Sequence, residues 1–392
     1  MTILRLAYRN LVGAGLRTWL NVFVLSFTYV LIIWHQGLFS GVQRMASREY
    51  IKDEIAGGQY WVREYDPYDP LALDSSHRKI PDELKTMIRK RQAVPILIRQ
   101  GTIYPEGRMQ TIMIKGIPPD QQVMNIPSQK LNNDAEFPVM IGKLMAKKNA
   151  FKVGDSITIR WRDSNGTFDA GDGEIVEIMD TNVPSLDVGQ LWLPLKKVQQ
   201  MFDLKDEATL ITVSREIRKP VKIDGWIFRN HAYLLKDFND MIQSKRIGGA
   251  VLYTILLFLS MLAIFDTQVL AIFRRRKEIG TLMALGMVRS RVIGLFTLEG
   301  AMHGILGIAI AAVYGIPTLI ISAKSGIPLP ETLNAEKEFG FVFASRLFPA
   351  YSPLLIGGTV LIIMVTVTIV SYLPSRRISG MKPTDALRGK MS

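Results

Sequence analysis

The sequence predicts a membrane protein of four transmembrane α-helices with a large α+β extracytoplasmic domain between helices 1 and 2. Three observations carry this. Four apolar runs, residues 19–39, 247–273, 297–323 and 354–373, reach the length of about 20 residues that a helix needs to cross a ~30 Å hydrocarbon core. Residues 40–246 are a polar block large enough to hold a core of their own. The formal net charge of +13 is concentrated in three short segments beside the apolar runs.

From the start of the chain, residues 1–18 form a cytoplasmic interfacial elbow helix. Ile3, Leu4, Ala7 and Leu11 share one helical face, away from Arg5 and Arg9. A plain juxtamembrane helix fits the same pattern. Transmembrane helix 1, residues 19–39, is too long for a cleaved signal and has no small-residue cleavage site before the domain, so it reads as a signal anchor. The domain at 40–246 begins helically at 40–55. Strands are expected near 59–64, 94–104, 109–116, 156–162, 174–180, 190–194 and 209–214. Helices are expected near 81–90, 143–150, 195–202 and 226–245, the last feeding the second span. Transmembrane helix 2 takes 247–273. A loop at 274–294 carries the basic tetrad Arg274-Arg275-Arg276-Lys277 and a short amphipathic helix. Transmembrane helix 3 at 295–323, a short external loop at 324–353, helix 4 at 354–373 and a tail at 374–392 complete the chain.

Charge orients these elements. Lys and Arg outnumber acidic residues by three in 1–18, five in 274–293 and four in 374–392, and short basic loops stay in the cytoplasm. Both termini and the 274–294 loop are therefore expected to face the cytoplasm, with 40–246 outside it; the bacterial inner membrane and its periplasm follow only from the resemblance given below. The basicity is a topology signal and gives no reason to expect nucleic acid. A polybasic patch on anionic membrane lipids is compatible with the same topology.

The domain carries no recognisable catalytic constellation. Cysteine is absent, His77 and His231 are its only histidines, and neither H-E-x-x-H nor G-x-S-x-G occurs. Asp169, Asp172 and Glu174 lie among glycines without the twelve-residue calcium pattern, which describes a solvated hairpin. No P-loop is present, so no cofactor or metal is expected to bind the chain directly.

Two carboxylates fall within the spans. Asp266 lies about 12 Å inside the basic tetrad and is expected to face a helix partner. Glu299 opens the third span, with His303 one turn on. A proton relay or substrate contact is one reading of such groups; hydrogen-bonded packing, or for Glu299 snorkelling to the headgroups, is the other. Gly300, Gly304, Gly307, Ala311 and Gly315 make a narrow face for close helix packing.

The run Phe273-Arg274-Arg275-Arg276-Lys277-Glu278-Ile279-Gly280, then Met283-Ala284-Leu285-Gly286 and Phe296-Thr297-Leu298-Glu299-Gly300, resembles the signature of FtsX/MacB-type (type VII) ABC transporter permeases. The tail at Leu373-Pro374-Ser375-Arg376-Arg377 and Lys382-Pro383-Thr384-Asp385-Ala386-Leu387-Arg388 is similar to that of the family. So are the elbow at Ala7-Tyr8-Arg9-Asn10-Leu11 and, within the external block, Ile141-Gly142-Lys143-Leu144 through Val153-Gly154-Asp155. The resemblance covers nearly the whole chain in order.

It implies a non-catalytic subunit that pairs with a second permease, identical or paralogous, and with a cytoplasmic ABC ATPase dimer on which ATP and Mg bind. Glu278 to Gly286 would act as the coupling helix, with Arg276, Glu278, Gly280, Ala284, Leu285 and Gly286 as ATPase-coupling residues. A stiff second span would carry the motion outward to a MacB-like periplasmic core domain. The external domain and Asp266-Thr267-Gln268 look closest to the lipoprotein-releasing, LolC/LolE-like branch. Its lipoprotein substrate would enter from the outer leaflet between spans 1 and 2, against a cavity of Phe27, Leu31, Trp34, Leu38, Leu252 and Leu256, and pass to a periplasmic carrier. MacB-like export of peptides or drugs, and FtsX-like signalling to a cell-wall hydrolase, are the alternatives.

Overall fold

The structure, a computed structural model, describes residues 15–181, 183–217, 220–328 and 346–380. The elbow motif and the Lys382 to Arg388 tail motif lie outside the described residues, as does most of the 324–353 loop. The chain divides into two compact units, one holding described residues 15–43, 241–328 and 346–380, the other 44–240.

The second unit is the α+β domain. Its strands are β1 Gln59–Val62, β2 Arg78–Lys79, β3 Ala93–Ile103, β4 Gln110–Ile117, β5 Pro138–Gly142, β6 Ser156–Arg162, β7 Phe168–Met179, β8 Gln190–Pro194, β9 Glu207–Ala208, β10 Leu210–Val213 and β11 Trp226–Arg229. Nine of them form one mixed sheet ordered β11-β1-β10-β3-β4-β8-β5-β7-β6. The far half of β3 also pairs with β6, Gly101 to Trp161 and Ile103 to Ile159, so six strands close into a ring. Strict alternation in β6 sends Ile157, Ile159 and Trp161 inward, where they join Leu97, Ile114, Val139, Ile175 and Leu191 in one core. Strands β1 and β10 are buried on both faces, Trp61 and Leu210 on one side and Tyr60, Val62, Ile211 and Val213 on the other, which is why they read as largely apolar.

Sequence and structure part company at residues 226–245. The expected single helix is replaced by β11, a four-residue turn of helix at His231–Leu234 capped by Asn230, and then a helix starting at Lys236. Trp226-Ile227-Phe228-Arg229 is rich in strand-forming residues and finds an open edge at β1, Tyr60 opposite Phe228; that tertiary pairing outweighs helix propensity. The Asp169–Glu174 segment lies inside β7, where Thr158 Oγ1 donates to Asp172 at 2.6 Å across the pair.

The first unit contains the apolar helices. We label the helices used below α1 Leu16–Tyr50, α2 Asp82–Arg89, α3 Lys143–Asn149, α4 Leu195–Met201, α5 Lys236–Arg274, α6 Arg276–Ala284, α7 Arg289–Ser325 and α8 Pro353–Arg376. Helix α1 continues into a π-helical turn, Ile51–Ile55, so the first apolar helix and those at α5, α7 and α8 give four helices long and apolar enough to cross a membrane. Each overruns the expected span: the first runs well past residue 39, α5 begins eleven residues ahead of 247, and α7 starts at 289. Inside the domain unit, the Lys115 ammonium lies 3.6 Å from Glu54 in that π turn and 4.9 Å from the Trp192 ring. Burial pushes the Lys115 pKa down while Glu54 opposes the fall.

Leu25, Tyr29, Ile32, Ile264, Ala311, Ile363 and Val367 form the core of the four-helix unit. The small-residue face of α7 lies where close approach requires it. A Cβ on Gly300 would sit 2.3 Å from Ser371 Oγ of α8, and one on Gly315 2.5 Å from Val30 of α1.

Candidate functional site

The site is the joint where α5 stops and α6 begins. Arg275 has φ −101° and ψ 19°, outside the helical well, and divides the two helices. The chain bends there while Arg275 N still donates to Ala271 O at 3.0 Å and Ile279 N to Arg275 O at 3.0 Å. Helix α6 ends on Gly286, whose φ of +92° only glycine adopts without strain. Gly286 N donates to Met283 O and Met287 N to Leu282 O, the paired bonds of a Schellman cap, so the local sequence closes the helix there. Ile279, fully buried, packs α6 against Ile272 of α5, Val292 and Phe296 of α7, and Ile378 beyond α8.

The Arg275 guanidinium holds this joint. Its Nε and Nη2 donate to the two oxygens of Glu278 at 2.6 and 2.7 Å, a bidentate fork, and Nη1 donates to both oxygens of Glu299 at 3.0 and 2.8 Å. The Phe296 ring lies 4.9 Å from its central carbon. The hydrogen bonds to Glu278, with help from Glu299, drive the Arg275 pKa still higher than an ordinary guanidinium; the same bonds hold the Glu278 carboxyl below the usual carboxylate range. Glu299 is only 6% exposed, and the guanidinium offsets part of the cost of burying it.

Of the residues singled out from the sequence, Glu278 and Glu299 meet at Arg275, which sequence reasoning treated only as one of four equivalent cations. Its signal was its place at the break between two helical patterns. Gly280 is buried. Arg276 lies over Phe273 at 4.6 Å. Ala284, Leu285 and Gly286 are presented outward, Leu285 80% exposed. Asp266 does not turn toward a helix of this chain: among the described residues it is exposed, on the outward apolar face of α5 with Phe258, Leu262 and Phe273. His303 is buried, and its Nδ1 faces the Glu299 and Gly300 carbonyl oxygens at 3.3 and 3.1 Å, not the Glu299 carboxylate.

The seam between α1 and α5 is closed by a polar ladder. Asn21 Nδ2 donates to Thr267 Oγ1 and Ala263 O at 2.5 and 3.1 Å; Thr28 and Ser260 hydroxyls lie 2.9 Å apart; the His35 ring meets that of Tyr253 at 5.5 Å. Rungs recur every seven residues on both antiparallel helices, the spacing that keeps one helical seam in register. Phe27 and Leu252 each lie one residue from a rung and are exposed, whereas Leu31, Trp34, Leu38 and Leu256 are half-buried along the same helices.

Four helices long and apolar enough to cross a membrane, with an α+β domain between the first and the second, and a helix break braced by an Arg–Glu fork, describe a multi-pass membrane protein. Residues 250–383 match the FtsX-like permease C-terminal family. Over 336 residues the chain is 21% identical to the lipoprotein-releasing system transmembrane protein LolC of Neisseria meningitidis serogroup B, which spans 76% of this chain and 77% of that one. It is 30% identical over 99 residues to the ABC transporter permease YtrF of Bacillus subtilis, 25% and 23% of the two chains. A solved structure, the extracellular domain of the noncanonic ABC-type transporter YknZ from Gram-positive bacteria, is similar at 13% identity and a TM-score of 0.27 over 41% of this chain and 84% of that one. Over residues 250–383 the chain thus resembles the FtsX-like permeases, and over about three quarters of its length it is similar to LolC.

Proposed function

We propose that this chain is the permease subunit of an ATP-driven complex that extracts lipoproteins from the outer leaflet of a bacterial inner membrane. The observation that carries the drive is the α6 tip: Ala284, Leu285 and Gly286 stand exposed at the end of a helix whose other side is locked onto α7. An apolar residue so exposed on a charge-flanked helix fits a pocket on a cytoplasmic ATPase, which binds ATP and Mg in this scheme. Similarity to LolC supports lipoprotein as the substrate class, and the basic segments beside the spans support α6 and both termini facing the cytoplasm.

A second permease subunit, identical or paralogous, completes the complex. The outward face of α5 supports this, because Asp266 among Phe258, Leu262 and Phe273 is a carboxyl that lipid tails would not solvate. The acyl chains of the substrate would lie against Phe27 and Leu252 at the flank of the α1–α5 seam. The domain then passes the lipoprotein to a periplasmic carrier. The test is gentle extraction from native membranes through a tag, with mass spectrometry of what co-purifies. A P-loop ATPase, a permease partner and acylated proteins are the expected set. An adaptor protein in place of acylated proteins would replace lipoprotein release with export, and a cell-wall hydrolase would replace it with signalling.

A further inference from the structure

The backbone between α5 and α6 passes through a residue with non-helical geometry, a weaker link than a continuous helix although hydrogen bonds flank it on both sides. Among the described residues, two kinds of side-chain contact hold α6 and its N-cap to α7. One is apolar: Ile279 and Met283 pack into the cluster with Val292 and Phe296, and Leu282 packs against Leu295 and Met302, non-directional contacts that resist separation more than sliding. The other is Arg275, whose planar fork engages Glu278 on α6 through two donors and Glu299 on α7 through a third, while Phe296 stacks beneath it. A guanidinium fixed on two edges and one face has no free rotation, which a lysine ammonium in the same place would keep.

We propose that Arg275 is a positioning residue that makes α6 and α7 one mechanical body, so that a displacement of α6 enters the membrane through the third apolar helix and not along the second alone. The assignment rests on α6 being the ATPase contact. Glu278 and Glu299 then have equal mechanical weight although their surroundings differ: Glu299 is buried, whereas Glu278 is half exposed and, as a surface ion pair alone, would contribute little to stability.

The chain has no cysteine, so paired labels report without background. Thr281 on α6 and Gly294 on α7 are exposed, and a Cβ on Gly294 meets nothing within 4 Å. Nitroxides on Thr281→Cys and Gly294→Cys in the full chain in nanodiscs give the spread of the α6–α7 distance by pulsed electron resonance. Glu278→Gln, Glu299→Gln and Arg275→Lys are each expected to widen that distribution about twofold, because each leaves the fork with one anchor or none. Should Glu299→Gln fail to fold, the other two variants still decide. A wild-type width in Glu278→Gln or in Arg275→Lys overturns the proposal and leaves the fork a local charge balance. Because the width is read on the permease by itself, absence of any co-purifying ATPase would sink the proposed function without changing this result.

Discussion

Arg275 and Glu299 set the sharpest expectations for single residues. Removing the guanidinium takes a charged partner from a carboxylate that is 6% exposed, and breaking a buried pair from one side costs up to about 3–5 kcal/mol. Arg275→Ala is therefore expected to lower the thermal midpoint of the detergent-solubilised chain by several degrees, and Arg275→Ala with Glu299→Gln to recover most of it, measured by scanning fluorimetry. Glu278 brings a pH dependence. Its folded pKa is depressed, so its contribution is fully present above the unfolded carboxylate value of about 4.3 and is lost as pH falls through the folded value. The gap in α6–α7 spread between wild type and Glu278→Gln should stay constant from about pH 5 to 8 and close in acid. Neither residue pairing was legible beforehand. Charge counting treats Arg274, Arg275, Arg276 and Lys277 alike, and only the return of α7 beside α5 chooses one of them to face Glu299.

At the scale of elements, the apolar runs were legible because bilayer thickness and helical rise fix their length, and the structure extends all four. The seam between α1 and α5 was not. Asn21, Thr28 and His35 are scattered polar residues within an apolar run until Thr267, Ser260 and Tyr253 arrive opposite them at the same spacing. The ladder predicts that Thr28→Cys with Ser260→Cys forms an intramolecular disulfide under mild oxidant, read as a mobility shift reversed by reductant, since the two hydroxyls lie 2.9 Å apart. Absence of cross-linking would mean that the seam is not closed in the membrane. The same pair tests substrate entry: if acyl chains part α1 from α5, the cross-link should abolish lipoprotein release. Strand β11 escaped sequence reading for a related reason, because an edge at β1 is a property of the folded sheet and not of residues 226–229.

For the whole molecule, the order of four spans and one inserted α+β domain was readable from the chain, whereas what the outward faces meet is not encoded by hydropathy. Asp266 is expected to face a helix partner; it is exposed on this chain, and under the proposed assembly a second subunit supplies that partner. Leu262→Cys, one turn from Asp266 on the same face, is expected to cross-link to a partner permease in native membranes, seen as a new band of roughly doubled mass. A flexible Gly/Ser insertion at Gly248, inside the unbroken helix Lys236–Arg274, is expected to abolish transport while leaving ATP hydrolysis in place.

The claim on which the rest depends is that the α6 tip receives an ATPase. Recovery of the ATPase from native membranes with tagged wild type and with tagged Leu285→Glu, at equal permease yield and equal melting behaviour, measures it most directly. The account predicts an ATPase with the wild type and at least a tenfold smaller amount with Leu285→Glu, about 1.4 kcal/mol or more at the contact. Equal recovery with both, or none with the wild type, would contradict it.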